Sequence, residues 1–184
     1  LRNQGRGPSI IVSPLLALMR NQIDAAERLG LRAATINSTN REDWQGIIDA
    51  LRDDTLDAVL ISPERLANAE FDETVMRPLA PRVGLMVVDE AHCISDWGHD
   101  FRQDYRRIVQ VLARLPADTP VLATTATAND RVVEDVRQQL GGIDILRGPL
   151  ARDSLRLQTL RLPDQAARLA WLAAWIPRLP GSGI

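Results

Sequence analysis

The sequence predicts an α/β fold, a parallel sheet with helices on both faces, and three observations carry that reading. Short apolar runs alternate with longer amphipathic stretches along most of the chain, which is the signature of repeated βαβ units. The apolar runs are nearly continuous rather than alternating, as strands covered on both faces require. The 184 residues are 45% hydrophobic and 25% charged, a globular composition with enough length for one domain or a little more.

The elements follow in order. Ser9 to Val12 reads as a strand and Pro14 to Leu29 as a helix, with Pro14 suited to a first helical position and Gly30 to its end. Arg32 to Ile36 is a second strand and Arg41 to Leu51 a helix. Ala58 to Ile61 is a third strand, closed by Ser62-Pro63. Phe71 to Leu79 is a short helix that Pro78 and Pro81 bring to an end. Val83 to Val88 is the strongest strand. Asp104 to Leu115 is a helix, Pro120 to Thr124 a strand, and Asn129 to Leu140 a helix with Asn129 placed to cap it. Ile143 to Arg147 is expected as one more strand. After Gly148-Pro149 the pattern changes: Leu155 to Leu162 alternates as a strand does, Asp164 to Ile176 is a helix with Leu169, Leu172, Trp175 and Ile176 on one face, and Leu179 to Gly183 reads as a linker. The expected division is therefore 1–149 and 150–184.

Composition excludes several classes. No run approaches the ~20 apolar residues of a spanning helix, and the polar start, Leu1-Arg2-Asn3-Gln4-Gly5, is no secretory signal. The single cysteine, Cys93, rules out an internal disulfide framework and suits a reducing compartment, so the cytoplasm is expected. The net charge of −2 does not mark a basic nucleic-acid binder, so any such contact must be a local patch. All 22 basic residues are arginine. A phosphate loop, Gly-x-x-x-x-Gly-Lys-Ser/Thr, needs a lysine to reach the phosphates, so this chain holds none. With no initiating Met either, it reads as a fragment.

Parallel α/β sheets bind ligands at the carboxyl ends of their strands. There, Leu85-Met86-Val87-Val88 delivers Asp89 and Glu90. A hard Mg²⁺ ion keeps several waters and takes one or two carboxylates, so Asp89 can hold it through water while Glu90 orients an attacking water. Equally, the pair can be a solvated acidic turn. The tetrapeptide Asp89-Glu90-Ala91-His92 favours the former, because it resembles the box that names a group of helicases. The segment after it, Cys93 through Tyr105 with Trp97, His99, Phe101 and Arg102, resembles the aromatic-rich loop of RecQ-family ATP-dependent DNA helicases. Read by themselves, Trp97 and Phe101 either stack bases or anchor the loop in the core. Arg102 can pair with a phosphate, and His99 can donate to a phosphate or tie the loop to the carboxylates.

Three further segments resemble the same family. Val12 to Gln22 is similar to the motif that follows the phosphate loop and lies along the DNA backbone, which implies DNA contacts for Ser13 and Pro14. Ile61-Ser62-Pro63-Glu64-Arg65-Leu66 is similar to a second DNA-side motif, implying contacts from Ser62 and Arg65, although Arg65 and Glu64 can also pair with each other. Asn37-Ser38-Thr39 matches a weaker segment. Ala123 to Ala128 is similar to the family's third motif, implying that its hydroxyls hydrogen-bond the carboxylate pair and that Thr125, Ala126 and Thr127 couple nucleotide state to a second domain, although such hydroxyls can also satisfy local backbone. Near Leu150-Ala151-Arg152-Asp153-Ser154 the family pattern is kept only at Arg152.

The resemblance implies a RecA-like sheet of the P-loop NTPase type, here without its phosphate loop, as the first motor domain of a DNA helicase. It implies ATP and Mg²⁺ as cofactors, with Glu90 as base, Asp89 as metal holder and His92 as a link to the third motif. It also implies single-stranded and junction DNA as partners, a second RecA-like domain, no membrane, and 3′-to-5′ movement. This chain alone is expected to be inactive. The rival expectations are a degenerate motor domain that only binds DNA or a partner, and an RNA helicase of the same superfamily.

Overall fold

The apolar runs pair with one another wholly in parallel. In a computed structural model that describes residues 2–95, 105–148 and 158–179, β1 (Ser9–Val12), β2 (Ala33–Ile36), β3 (Ala58–Ile61), β4 (Leu85–Val88) and β5 (Val121–Ala123) form one sheet in the order β2-β3-β1-β4-β5. The central β1 sets Ile10 and Val12 beside Val59 and Ile61 on one side and Met86 and Val88 on the other. All six are fully buried. β1 and β4 nonetheless alternate, with Ile11, Leu85 and Val87 only half-buried on their other face.

The helices are α1 (Leu16–Arg28), α2 (Trp44–Arg52), α3 (Pro63–Leu66), α4 (Ala69–Phe71), α5 (Arg77–Leu79), α6 (Arg106–Leu112), α7 (Asp130–Leu140) and α8 (Gln165–Trp175). Asn129 caps α7 by accepting from the Val132 N–H at 2.9 Å, and Asp164 caps α8 through the Ala167 N–H at 2.8 Å. α1 departs from expectation: Leu15 is extended (φ −116°, ψ 110°) and the helix starts at Leu16, two residues beyond Pro14. The expected helix over Phe71–Leu79 is interrupted, because a π turn at Asp72–Met76 joins α4 to α5. α3 forms where only a strand end was expected, with Pro63 at its first position.

Ile143 to Arg147 forms no strand. Gly141 (φ +86°) turns the chain out of α7, Ile143 packs against the core, and Ile145 and Leu146 are left exposed. A strand needs a partner edge, and the described sheet ends at β5. The expected strand Leu155–Leu162 is likewise absent over residues 158–162; its first three positions, 155–157, lie outside the described residues.

Two compact units result, Leu1–Leu146 and Arg147–Ile184. The first holds the sheet and the core. In the second, α8 buries no residue: Leu169, Leu172, Trp175 and Ile176 are all exposed. No described helix is long and apolar enough to cross a membrane.

The two edges of the sheet differ in chemistry. At the amino edge, Asp57 accepts from the Arg32 backbone N–H (2.9 Å), from Arg32 Nε (3.1 Å) and Nη2 (2.9 Å), and from Arg2 Nε (3.2 Å). Gly7 and Gly84 approach so closely that a Cβ on Gly84 would lie 2.4 Å from the Gly7 carbonyl oxygen. At the carboxyl edge stand Ser13, Asn37, Ser62, His92 and Ser95, which are all the buried polar residues among those described. Each follows the carboxyl end of β1, β2, β3 or β4.

Candidate functional site

Burying polar side chains at one edge costs free energy unless they are hydrogen-bonded, so their partners define the site. The hub is Asp89, the first residue after β4. Its backbone N–H donates to the Val12 carbonyl at 2.9 Å, which fixes it at the end of β1. Its Oδ1 accepts from the Glu90 N–H (3.0 Å) and from Thr124 Oγ1 (2.9 Å). Its Oδ2 accepts from Ser13 Oγ (3.1 Å) and Gln22 Nε2 (3.2 Å). Tyr105, fully buried, donates its hydroxyl to the Asp89 carbonyl at 2.9 Å. Four donors on one carboxylate fix its orientation.

Glu90 adopts the left-handed conformation, φ +50° and ψ +46°, which a non-glycine residue rarely takes without outside support. Support comes from both sides: its own N–H binds Asp89, and the next N–H, of Ala91, donates to the Thr124 carbonyl at 2.9 Å. The turn Ala91–Ile94 then packs against α7, and Ser95 Oγ donates to Asp135 on α7. The reversal swings Glu90 toward His92, whose Nδ1 lies 3.1 Å from Glu90 Oε2 and 3.0 Å from Thr125 Oγ1. Thr125 Oγ1 also lies 3.2 Å from the backbone N and O of Thr127, and Ala126 sits between them. The hydroxyls of the segment after β5 are thus bonded into the acidic turn.

Among the described residues no group of three His, Cys, Asp or Glu side chains can hold a metal. That fits an ion that uses one carboxylate, its own waters and a substrate's phosphates, as Mg²⁺ does. One atom points the same way. Gln22 Oε1 is buried beside Asp89 with no hydrogen-bond partner, an acceptor suited to a water of such an ion. The donor set therefore fits Mg²⁺ held through water, which Asp89 and Gln22 would contact.

The remaining sequence candidates divide. Ser13 is fully buried and its hydroxyl is directed at Asp89. Pro14 is half-buried next to it. Ser62 is buried at the end of β3, and Asn37 folds an Asx turn by accepting from the Thr39 N–H at 2.8 Å. Arg65 is half-buried and makes no ion pair with Glu64 or any other described carboxylate. Its guanidinium sits 5.1 Å from the Trp44 ring centroid and its Nε is buried without a partner. Trp97, His99, Phe101 and Arg102 lie outside the described residues. The hydroxyl contact expected from the segment after β5 is made by Thr124, whereas the sequence reading missed Gln22 and Tyr105. For Gln22 a signal existed, since it sits three residues after the buried Met19 and so shares its helical face. The register Val88↔Ala123 sets which hydroxyl reaches Asp89, and Tyr105 carried no signal.

Comparison with known proteins agrees with this geometry. Residues 1–136 match the DEAD/DEAH box helicase family. The chain is 44% identical over 137 residues to the ATP-dependent DNA helicase RecQ of Bacillus subtilis, covering 73% of this chain and 22% of that protein. It is 35% identical over 182 residues to the probable ATP-dependent DNA helicase RecS of the same organism, covering 97% of this chain and 36% of that one. The chain thus spans well under half the length of these relatives. Among solved structures, the Hef helicase domain of Pyrococcus furiosus superimposes with a TM-score of 0.55 at 18% identity, over 73% of this chain and 27% of that one, a likeness of fold.

Proposed function

This chain belongs to the DEAD/DEAH box helicase family, and from that premise we propose that it is the greater part of the first RecA-like motor domain of an ATP-driven DNA helicase. Residues 1–149 form that domain, and 150–184 lead toward a second RecA-like domain. The single observation that carries this reading is the fourfold-bonded Asp89 at the carboxyl edge, joined through Thr124 and Thr125 to the segment after β5.

When bound, Mg²⁺ would supply positive charge against the negative charge that builds on the phosphates of ATP during transfer. Asp89 and Gln22 would hold it through water. Glu90 accepts a proton from the attacking water as the new oxygen–phosphorus bond forms and the bond to ADP breaks. His92 keeps Glu90 in place by donating from Nδ1, and through Thr125 it senses the segment that runs on to Ala126 and Thr127. Pro14, Ser62 and Arg65 line the DNA side of the carboxyl edge; the Ser13 hydroxyl serves Asp89 instead. Trp97, Phe101 and Arg102 engage one DNA strand, and His99 links them to the acidic turn. DNA is favoured over RNA by the likeness to RecQ-type DNA helicases. Unwinding runs 3′-to-5′, and the motor works in the cytoplasm.

The test uses the full-length protein. Glu90→Gln should abolish ATP turnover while ATP still binds, and single-stranded DNA should stimulate the unaltered enzyme more than RNA does. The 184-residue chain alone, which has no lysine, should hydrolyse no ATP. Full turnover by Glu90→Gln, or stimulation by RNA alone, would remove the proposal.

A further inference from the structure

Many arginines of the first unit are matched with carboxylates: Arg2, Arg32, Arg77, Arg82 and Arg114 each meet an aspartate. Two arginines at the carboxyl edge are not. Arg41 opens the turn Arg41–Asp43 that follows β2, and Arg65 lies in α3, which follows β3. β2 and β3 are neighbours with Ile36 beside Ile61, so the two segments leave the sheet side by side. Neither guanidinium forms an ion pair with a described residue, although Glu42 and Asp43 follow Arg41 directly and Glu64 precedes Arg65.

Both instead gather on one ring. The Arg41 guanidinium carbon lies 5.8 Å, and that of Arg65 5.1 Å, from the Trp44 ring centroid. That ring is held firmly. Its Nε1 donates to the Asn37 carbonyl (3.1 Å) and to Asn40 Oδ1 (3.2 Å), and the indole meets Phe71 edge-on at 6.2 Å and 64°. The attraction of a cation to an exposed ring is worth only about 0.5–1 kcal/mol, and two like charges on one indole repel each other. An anion received between them relieves that repulsion. The Nε of Arg65 is buried without a hydrogen-bond partner, a donor that a phosphate oxygen would satisfy.

We propose that Trp44 is a positioning residue that presents Arg41 and Arg65 together as a two-pronged phosphate clamp for a single nucleic-acid strand. As regards the identity of the strand it rests on the function proposed above; the clamp adds Arg41 and Trp44 to the DNA-side residues. Arginine suits this role because its planar fork grips phosphate oxygens in pairs while its face stacks on the indole.

The experiment measures binding of the 184-residue chain to a fluorescently labelled oligothymidylate by anisotropy across a NaCl series, with inorganic polyphosphate as a second probe. Each phosphate contact on a single strand contributes ~0.7 to the slope of log affinity against log salt. Arg41→Gln and Arg65→Gln should each reduce that slope by ~0.7, and Trp44→Leu by ~1.4 although neither arginine is changed. Trp44→Phe, which keeps a ring face, should restore most of the slope, a rescue that a merely structural role does not predict. Arg41 is exposed, so Arg41→Gln tests the clamp without risk to folding. If the oligothymidylate binds and Arg41→Gln leaves the slope unchanged, the clamp is wrong while the helicase reading stands. If polyphosphate binds through both arginines and the oligothymidylate does not, the clamp stands and its assignment to nucleic acid falls. Binding of neither probe removes the clamp.

Discussion

Replacing Asp89 should separate an organised carboxylate from a strained one. Asp89→Ala leaves four donors without their acceptor: the Glu90 N–H, Thr124 Oγ1, Ser13 Oγ and Gln22 Nε2. Thr124 is exposed and turns to water, but Ser13 is fully buried and Gln22 already carries an unpartnered oxygen. A buried donor left without a partner costs about 1–3 kcal/mol. Two or three such donors, offset by no longer holding a charge out of water, give a net loss of about 2–4 kcal/mol. Asp89→Asn is milder. Its oxygen keeps the Glu90 and Thr124 bonds, its new NH₂ donates to a rotated Ser13 hydroxyl, and a flipped Gln22 amide offers Oε1 as acceptor, for a loss of about 1 kcal/mol. The assay is urea unfolding of the 184-residue chain followed by circular dichroism. With a slope near ~2 kcal/mol per molar urea, Asp89→Ala should lower the midpoint by about 1–2 M and Asp89→Asn by about 0.5 M. An Asp89→Ala midpoint at or above that of the unaltered chain would mean that the carboxylate is a repelled charge, and the account of the hub would fail.

Three other outcomes are expected. The Arg32 side chain first, then its backbone N–H, and to a lesser extent Arg2, hold the Asp57 carboxyl well below the usual range against an opposing push from burial. Because the folded value is depressed, this stabilisation is complete above the unfolded value near ~4 and is lost as pH falls below it. Asp57→Asn should therefore lower stability at neutral pH, and thermal melts should show the gap closing in acid; a gap constant from neutral to acid pH would contradict the assignment. At the left-handed Glu90, Glu90→Gly should stay within about 1 kcal/mol of the unaltered chain while Glu90→Val loses about 2 kcal/mol, since only the β-branched residue resists that conformation; equal losses in urea would show that the backbone there is not the determinant. Tyr105→Phe removes the one donor shown on the Asp89 carbonyl and should cost about 1 kcal/mol in the same assay, whereas no loss would mean that the hydroxyl is not part of the support.

The sheet was legible because its strands are apolar runs, and a run such as Leu85–Val88 can be read without knowing its neighbours. What depended on neighbours was not legible. The π turn at Asp72–Met76 follows no residue pattern, and Ile143–Arg147 has strand composition but no edge to pair with. The acidic turn was visible in sequence as Asp89-Glu90-Ala91-His92, and so was a hydroxyl contact from the segment after β5, but the rest of its support was not. Thr124 becomes a partner of Asp89 only through the alignment of β5 with β4, and Tyr105 reaches back across sixteen positions to the Asp89 carbonyl. Ser13 shows the opposite case, where a motif suggested a contact with DNA and the fold directs the hydroxyl inward to the carboxylate.

The backward twist at Glu90 has a consequence for how two neighbouring negative charges share one turn. Asp89 accepts hydrogen bonds from groups on α1, at β1's end and at β5's end, while Glu90 answers to an imidazole two residues ahead. Because the chain reverses between them, the pair draws on separate counterparts, and a change in the imidazole's company reaches the second carboxylate without loosening the first. One acid can stay fixed while the other is adjusted.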